Sequence, residues 1–498
     1  MIQRLFIANR GEIALRIART ARRMGLKVLS AYSSVDGGLP HLRLCQGAVE
    51  LPGDPSRVYL DIHAMIDAAR YLKADAVHPG YGFLAENEEF AAAVESAGMA
   101  FVGPAPDQIV ALGDKIQARQ AAQRAGVPVL PGYDHTIPDA PAAQKIAANL
   151  GFPVLLKAAG GGGGRGMRVA ENAAQLTEAF SRAQSEAQAA FNDPRIFMEK
   201  YIPHVRHVEI QVVGDGLGNA VSLGERECSV QRRHQKLIEE SPACAVPDTV
   251  AKKMGELAAR LAASVQYRGA GTMEFLVPFG THEFYFIEMN TRLQVEHPVT
   301  ELRTGFDLVE EQILIAGGLG FSERLRHIHT NPGAFQPRGH AIEARIIAED
   351  SHAGFRPSCG KLELVMLPTG PGIRVDGWIE TGLTVSPHYD SLLAKILAWG
   401  QTRVEALDRV NLALTETLIH PVHCTAGFLT EVLRDERFRK GDYDTGLVES
   451  MLKGRASILS HEAAVLVAAA HNSNAPILGE PGSQHKTRGL SSWQRAEQ

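Results

Sequence analysis

The chain has 498 residues, of which 45% are hydrophobic and 21% charged, so it can bury a large core, and its length suggests about three domains. A formal net charge of -5 gives no general attraction to nucleic acid or to an anionic membrane. No apolar run approaches the roughly 20 residues of a membrane span, and five scattered cysteines favour a reducing compartment, the cytoplasm, without structural zinc.

The first 112 residues alternate between strand and helix signals. Short apolar runs at 5–8, 27–32 and 74–77 predict strands, and helical spacing at 12–24 and 62–72 predicts the helices between them. This rhythm is typical of a parallel sheet covered by helices. The loop of residues 78–87 (HPGYGFLAEN) follows the third predicted strand, at the edge where such folds bind ligands. Because a strand begins so close to Met1, we expect no signal or transit peptide.

Five consecutive glycines, at 160–164, stand between two predicted strands. Residues 113–153 read as mostly helical, 154–158 and 167–170 read as strands, and a long helix extends to residue 191. The second strand argues against a dinucleotide-binding turn, and no Gly-Lys-Ser/Thr follows as in a nucleotide P-loop. Lys157 and Arg165 flank the glycines, so both a phosphate-binding hairpin and a structural turn remain open.

Carboxylates on a second predicted hairpin suggest a metal site. Residues 206–213 alternate as a strand, and 271–277 and 283–290 read as the two strands of a hairpin. Glu288 and Asn290 share a face, and Glu274 lies on the neighbouring strand. Magnesium takes hard oxygen ligands together with substrate phosphates. The alternative is a solvated polar face, which we disfavour because of the apolar flanks.

Cations are concentrated between residues 225 and 236 (ERECSVQRRHQK). Interleaved glutamates and the lack of aromatic residues favour a small anion over nucleic acid as the ligand. Cys228 lies in this segment without an activating motif, so we interpret it as a buried structural thiol.

Together these segments resemble biotin carboxylase. The resemblance rests on IANRGEIA (7–14), HPGYGFL (78–84), Lys157 with GGGGGRGMR (160–168), EKY (199–201), RHVE (206–209), QRRHQK (231–236) and EMNTRLQVEH (288–297). The order and spacing of the motifs carry it, from residue 2 to about 455.

The resemblance implies an α/β and α+β chain with an ATP-grasp fold. The implied ranges are an N-terminal parallel α/β domain at 1–112, an ATP-grasp domain at 113–330 with a glycine-loop lid at about 130–202, a C-terminal domain at 331–455 and a tail or linker at 456–498. Two segments depart from the family pattern, at 45–48 (CQGA) and 420–426 (HPVHCTA), and neither carries the chemistry.

The implied activity is ATP-dependent phosphorylation of bicarbonate to carboxyphosphate, whose CO2 is captured by N1 of biotin on a carrier protein. The implied ATP-binding residues are Lys115, Lys157, Gly162, Gly163, Gly164, Glu199, Lys200, Ile202, His207, Gln231, His234, Leu276, Glu274 and Glu288. Two Mg²⁺ or Mn²⁺ ions would be held by Glu274, Glu288 and Asn290.

Bicarbonate and biotin would bind next to the nucleotide. Bicarbonate would bind Lys236, Arg292, Gln294 and the backbone of Val295, and Tyr81 would lie against biotin. Glu296 would be the general base and Arg338 would stabilise the enolate-like biotin oxygen, with Lys236 and Arg292 also catalytic.

The resemblance also implies partners. These are a biotin carboxyl carrier protein or domain, a carboxyltransferase subunit and a second copy of the chain in a homodimer. No Met-Lys-Met biotin attachment segment occurs, so we expect carrier and transferase in other chains or beyond a truncated end. The final acceptor, acetyl-CoA, another acyl-CoA, pyruvate or urea, is left open. Alternatives are another ATP-grasp ligase that joins a carboxylate to an amine, and a non-catalytic scaffold.

Overall fold

The computed structural model describes residues 2–160 and 166–454. Its sheets belong to the compact unit Met1–Val448. Of a second unit, Glu449–Gln498, it describes residues up to 454, so the tail predicted at 456–498 lies outside the described residues. No helix in the described part of the chain is both long and apolar enough to cross a bilayer.

A parallel sheet flanked by helices forms the N-terminal part of the chain. Its elements are β1 (Arg4–Ile7), α1 (Gly11–Arg23), β2 (Lys27–Ser33), a 3-10 turn (Pro40–Leu44), β3 (Gly47–Leu51), α2 (Pro55–Val58), α3 (Ile62–Tyr71), β4 (Ala76–His78), α4 (Glu88–Ser96), β5 (Ala100–Phe101) and α5 (Pro106–Gly113). The strand order is β3-β2-β1-β4-β5, with every pairing parallel. This confirms the predicted fold class, and the order reverses next to β1, where open sheets bind ligands.

The number of strands predicted for this sheet was wrong. β3 and β5 were not predicted, so the loop of residues 78–87 follows the fourth strand rather than the third. β3 is an edge strand with Ala48 and Glu50 exposed, and β5 has two residues, so neither carries a strong apolar pattern. The loop still lies beside β1, because Asn9 Nδ2 donates to the carbonyls of Pro79 at 2.6 Å and Tyr81 at 2.8 Å.

A small antiparallel sheet carries the glycine segment. Its elements are α6 (Lys115–Arg124), β6 (Gly132–Tyr133), α7 (Ala140–Leu150), β7 (Val154–Ala158), β8 (Arg168–Ala170), α8 (Ala173–Phe191) and β9 (Ile196–Lys200). The order β6-β9-β7-β8, with β7 and β8 paired antiparallel, confirms the two strands predicted on either side of the glycines. Gly166 has φ +69°, and a Cβ there would lie 3.0 Å from the Ala158 Cβ, so the loop ends where only glycine fits. Residues 161–165, which include Gly162, Gly163 and Gly164, lie outside the described residues.

The largest sheet among the described residues is antiparallel and has eight strands. The elements of residues 205–334, in chain order, are β10 (Val205–Asp215), β11 (Ala220–Arg232), β12 (Gln235–Ser241), α9 (Asp248–Ser264), β13 (Arg268–Pro278), β14 (Tyr285–Asn290), α10 (His297–Thr304), α11 (Leu308–Ala316), α12 (Glu323–Thr330) and a 3-10 turn (Pro332–Ala334). The C-terminal elements are β15 (His340–Ile347), β16 (Glu349–Asp350), β17 (Arg356–Pro357), β18 (Gly360–Lys361), β19 (Leu364–Met366), β20 (Ile373–Gly377), β21 (Thr384–Val385), β22 (Leu392–Gly400), α13 (Arg403–Glu416), β23 (Leu418–His420), α14 (Ala426–Arg434) and α15 (Glu436–Lys440). The sheet order is β14-β13-β10-β11-β12-β15-β22-β20.

The sheet crosses the boundary predicted near residue 330. β12 pairs with β15, so strands from both sides of that boundary share one hydrogen-bonded ladder. The ranges 1–112, 113–330 and 331–455 remain our proposal for the domains.

Strand β10 separates an apolar core from a buried polar face. Val208, Ile210 and Val212 lie in a core cluster with residues of α6 and α9, as the alternation predicts. The intervening Glu209 and Gln211 are buried too, because a second layer covers the opposite face. Buried polar side chains of this kind require hydrogen-bond partners. Glu209, Gln211 and their partners form the candidate site.

Core packing on β10 gives a direct test of the fold. Ile210 is fully buried, so Ile210→Ala should lower the free energy of unfolding by about 2–5 kcal/mol through lost contacts and a cavity. Leu217 in the following turn is 78% exposed, so Leu217→Ala should change it by less than about 0.5 kcal/mol. Denaturation followed by circular dichroism compares the two variants. Equal midpoints would contradict the position of Ile210 in the core.

Candidate active site

A lysine ammonium among three carboxylates lies on the polar face of the eight-stranded sheet. Lys236 Nζ, on β12, donates to Glu209 Oε2 and to Glu296 Oε1, each at 2.6 Å. It also donates to Glu274 Oε1 at 3.0 Å. Burial would lower the pKa of Lys236, but the carboxylates raise it well above its usual value, so the amine stays charged.

Glu296, immediately before α10, lies between two cations. Its Oε1 bonds Lys236, and its Oε2 accepts a hydrogen bond from Arg345 Nη2 at 2.7 Å. Burial would raise the pKa of Glu296, but Lys236 and Arg345 outweigh burial and hold the pKa well below its usual range. The carboxylate is therefore ionised at neutral pH, as a general base must be before it accepts a proton.

Arg226 fixes the positions of these carboxylates. It is fully buried on β11, directly opposite Glu209 on β10, with which it forms an ion pair. Its Nη1 donates to Gln211 Oε1 at 2.7 Å and its Nη2 to Gln294 Oε1 at 3.0 Å. Gln294 in turn donates to Glu274 Oε1 at 2.9 Å. A buried charge is tolerated only when it is paired and hydrogen-bonded, so this network holds the site in one geometry.

The three residues predicted to bind metal come together on one hairpin. Glu274 on β13 lies directly opposite Glu288 on β14, and Asn290 Nδ2 donates to Glu274 Oε1 at 2.9 Å. Lys115 donates to Glu288, and His207 Nε2 lies 3.0 Å from Glu274 Oε2. Burial raises the pKa of Glu274, but the nearby cations lower it well below its usual value. The two carboxyl groups and an amide oxygen are a donor set that fits Mg²⁺ or Mn²⁺.

Two predicted ATP-binding residues form an ion pair inside the small sheet. Lys157 Nζ on β7 donates to Glu199 Oε2 on β9 at 2.5 Å. Arg119 Nη1, which the sequence did not single out, donates to Glu199 Oε1 at 2.8 Å. Lys200 Nζ instead donates to the carbonyls of Gly151 at 2.9 Å and Phe152 at 2.8 Å. Ile202 follows in the loop between β9 and β10.

Other predicted nucleotide residues lie on the large sheet. His207 and Leu276 are cross-strand partners on β10 and β13. Gln231 Nε2 lies 3.4 Å from His207 Nδ1, and His234 stands exposed in the turn between β11 and β12. Lys115 connects the two sheets, because its amide donates to the Ala159 carbonyl at 3.0 Å while its ammonium binds Glu288.

The predicted biotin residue Tyr81 is the start of a chain of contacts that reaches the base. Its hydroxyl donates to Glu12 on α1, and Glu12 Oε1 lies 3.1 Å from Lys395 Nζ on β22. Lys395 Nζ also donates to the Val295 carbonyl at 2.8 Å. The loop of residues 78–87 is thereby tied to the residue preceding Glu296.

The two predicted substrate arginines differ in their surroundings. Arg292 Nε donates to Glu86 Oε2 at 2.9 Å, and its Nη2 donates to Asn290 Oδ1 at 3.0 Å. Arg338 is exposed, and among the described residues no side chain pairs with its guanidinium. The arginine in contact with Glu296 is Arg345, and Arg338 stays a prediction.

Cys228 lies next to two of the carboxylates, those of Glu209 and Glu296. It is fully buried, and burial raises the pKa of its thiol well above the usual value, which agrees with a structural thiol. Its sulfur and carboxylate oxygens of Glu209 and Glu296 all lie within 4.8 Å of one another, a proximity that the sequence did not predict.

Several residues of the site were given no role in the sequence analysis. They are Glu12, Glu86, Arg119, Glu209, Arg226, Glu239, Arg345 and Lys395. Most are single charged residues inside strands, separated from their partners by tens to hundreds of residues. The one available signal was the alternation that places Glu209 on the face of His207, opposite the predicted core.

Three family models match most of the chain. The family described as "Biotin carboxylase, N-terminal domain" matches residues 1–109, "Carbamoyl-phosphate synthase L chain, ATP binding domain" matches 114–324, and "Biotin carboxylase C-terminal domain" matches 343–450. The chain is 46% identical to biotin carboxylase of Haemophilus influenzae over 454 residues, 91% of this chain and 99% of that one.

Solved structures are similar as well. A biotin carboxylase β-γ-ATP complex from Campylobacter jejuni has a TM-score of 0.87 at 42% identity, covering 90% of this chain and 99% of its own. The biotin carboxylase domain dimer of Hydrogenobacter thermophilus 2-oxoglutarate carboxylase, in complex with MgADP, ADP and bicarbonate, has a TM-score of 0.86 at 41% identity, covering 90% and 98%. With its three domain matches and near-complete coverage, this chain belongs to the biotin carboxylase family.

Proposed function

We propose that this chain is the biotin carboxylase component of a biotin-dependent carboxylase. ATP phosphorylates bicarbonate to carboxyphosphate, and the CO2 that carboxyphosphate releases is bonded to N1 of carrier-bound biotin, leaving ADP and phosphate. The observation that carries this proposal is the buried carboxyl group of Glu296, which lies between Lys236 and Arg345 and is connected through Lys236 to the Glu274, Glu288 and Asn290 oxygen group.

Phosphoryl transfer needs positioning and charge neutralisation. Lys115, Lys157, His234 and the glycines Gly162–Gly164 are the proposed phosphate contacts. Glu199, Lys200, Ile202, His207, Gln231 and Leu276 form the proposed adenosine site. Two Mg²⁺ or Mn²⁺ ions at Glu274, Glu288 and Asn290 would neutralise the phosphate charge.

Bicarbonate deprotonation is the proposed work of Glu296. An anion at Lys236 and Arg292, next to Gln294 and the Val295 backbone, competes with Glu296 for the Lys236 ammonium. This competition weakens the interaction that holds the pKa of Glu296 low, so its proton affinity rises when the substrate binds. Lys395 fixes the Val295 backbone through its carbonyl.

Biotin would enter beside Tyr81, with Arg338 stabilising its enolate-like oxygen. The Arg338 guanidinium is exposed and is therefore accessible to a ligand. A glycine lid over ATP would exclude the water that hydrolyses carboxyphosphate. The lid and its closure, like the domain ranges, are part of this proposal.

The proposed partners are a biotin carrier, a carboxyltransferase and a second copy of this chain. Related biotin carboxylase units occur in carboxylases with different acceptors, among them 2-oxoglutarate carboxylase. The acceptor is chosen by the transferase, so it stays open. Five free thiols favour a reducing compartment, and we propose the cytoplasm.

Nucleotide turnover tests the proposal. The purified protein should release ADP from ATP and Mg²⁺ only with bicarbonate, and free biotin should stimulate the release, because biotin removes the CO2 that carboxyphosphate delivers. A coupled ADP assay measures both dependences. Bicarbonate-independent turnover that requires an amine instead would identify another ATP-grasp ligase.

The base assignment has its own test. Glu296→Gln keeps the shape of the side chain but cannot accept the proton, so kcat for biotin carboxylation should fall by about 10²–10⁴-fold. ATP binding, followed by titration calorimetry, should change little. The matched control is Glu311→Gln, a buried glutamate on α11 that accepts a hydrogen bond from the Ser322 amide, and it should keep normal kcat. Normal kcat with Glu296→Gln would contradict the assignment of Glu296 as the base. The scaffold alternative would be favoured if the purified chain had no carboxylation activity and the assembled complex were unaffected by Glu296→Gln.

A further inference from the structure

Glu343 is a buried carboxyl group for which the proposed reaction has no role. It lies in the middle of β15 with no exposed surface. Neither carboxyl oxygen has a hydrogen-bond partner within residues 2–160 and 166–454. An ionised carboxylate without a partner is costly in such a place, so its protonation state needs an explanation.

A second buried carboxyl group lies on the strand next to Glu343. Glu343 is directly opposite Glu239 on β12, and side chains at such positions of antiparallel strands lie on the same face about 5 Å apart at Cβ. Glu239 is also fully buried. Its Oε1 accepts a hydrogen bond from Arg345 Nε at 2.6 Å, while its Oε2 has no partner among the described residues.

Arg345 connects this pair to the general base. It lies two residues beyond Glu343 on β15 and therefore on the same face. Its guanidinium bonds Glu239 through Nε and Glu296 through Nη2, the latter at 2.7 Å. One positive charge thus serves two carboxylates, and a third, Glu343, stands beside it.

The charges around Glu343 favour its neutral form. The titratable groups that face it are Glu239 on β12, Arg345 on its own strand, Lys395 on β22, Glu296 before α10 and Tyr81 in the loop after β4. Burial raises the pKa of Glu343 well above its usual value, and Lys395 and Arg345 do not offset burial and the neighbouring glutamates. Burial likewise raises the pKa of Glu239 to about 7. Two adjacent carboxyl groups in such a site hold one proton between them.

We propose that Glu343 is a positioning residue that carries a proton and shares it with Glu239, so that Arg345 keeps its hold on Glu296. A proton on Glu343 would allow it to donate to the unpartnered Glu239 Oε2, and this bond would reduce the pull of Glu239 on the guanidinium. Without that bond, Glu239 attracts Arg345 more strongly, and the contact between Arg345 and Glu296 weakens. The inference rests on the proposed function, because only there is Glu296 the base.

Loss of the proton on Glu343 should shift the acid limb of the pH profile to higher pH. Weaker contact with Arg345 raises the pKa of Glu296, so the acid limb of the pH profile of kcat/KM for bicarbonate moves to higher pH. Glu343→Leu, which cannot donate a hydrogen bond, should produce this shift. Glu343→Gln keeps a neutral donor and should reproduce the wild-type profile. A shift with Gln, or none with a folded Leu variant, would overturn the proposal.

Infrared spectroscopy observes the proton without any activity. The difference spectrum between the wild-type protein and Glu343→Gln, recorded at neutral pH, should contain the C=O stretching band of one neutral carboxylic acid. A difference spectrum with carboxylate bands but without the acid band would overturn the proposal. This result decides the question even if the Leu variant does not fold. A protein that shows the acid band but has no bicarbonate-dependent turnover would refute the proposed function and leave the shared proton established.

Discussion

The pairing of one largely enclosed ammonium, that of Lys236, with three carboxylates is the interaction on which the site depends. Glu209, Glu274 and Glu296 come from distant parts of the chain and would repel one another in the same buried space without it. β12 carries Lys236 in the middle of the eight-stranded sheet, next to β11 and β15. The strand that joins the two halves of the sheet therefore also joins the proposed metal group to the proposed base.

The same principle extends to the other cations assigned to anionic substrates. Lys115 is paired with Glu288, Lys157 with Glu199, and Arg292 with Glu86. Each pair keeps a cation compensated where a phosphate or bicarbonate is proposed to bind. In the proposed reaction, a substrate that takes over the cation would release its carboxylate for a metal ion or for a proton. Ion-pair exchange would thereby couple substrate binding to metal binding and to the proton affinity of the carboxylates.

The sequence predicted those features that depend on local pattern. The parallel N-terminal sheet, the strands around the glycines and the glutamate hairpin all follow from periodicity over a few residues. The edge strand β3 was not predicted because much of it is exposed, and β5 was not predicted because it is so short. The roles of Arg345 and Glu239 could not be predicted, because these residues come together only through the pairing of β12 with β15, across about a hundred residues of sequence. The motifs of the resemblance named the proposed reacting groups, whereas the charged residues that contact them are visible only in three dimensions.

In the proposed reaction, bicarbonate itself attacks the γ-phosphorus of ATP. Transfer of an oxygen isotope from bicarbonate to phosphate reports on this step, because the bond between that oxygen and phosphorus survives when carboxyphosphate gives up CO2. With bicarbonate labelled by oxygen-18 and unlabelled water, mass spectrometry of the released phosphate should find one labelled oxygen per molecule turned over. Phosphate without the label would show that water or another nucleophile attacks ATP, and it would contradict the account.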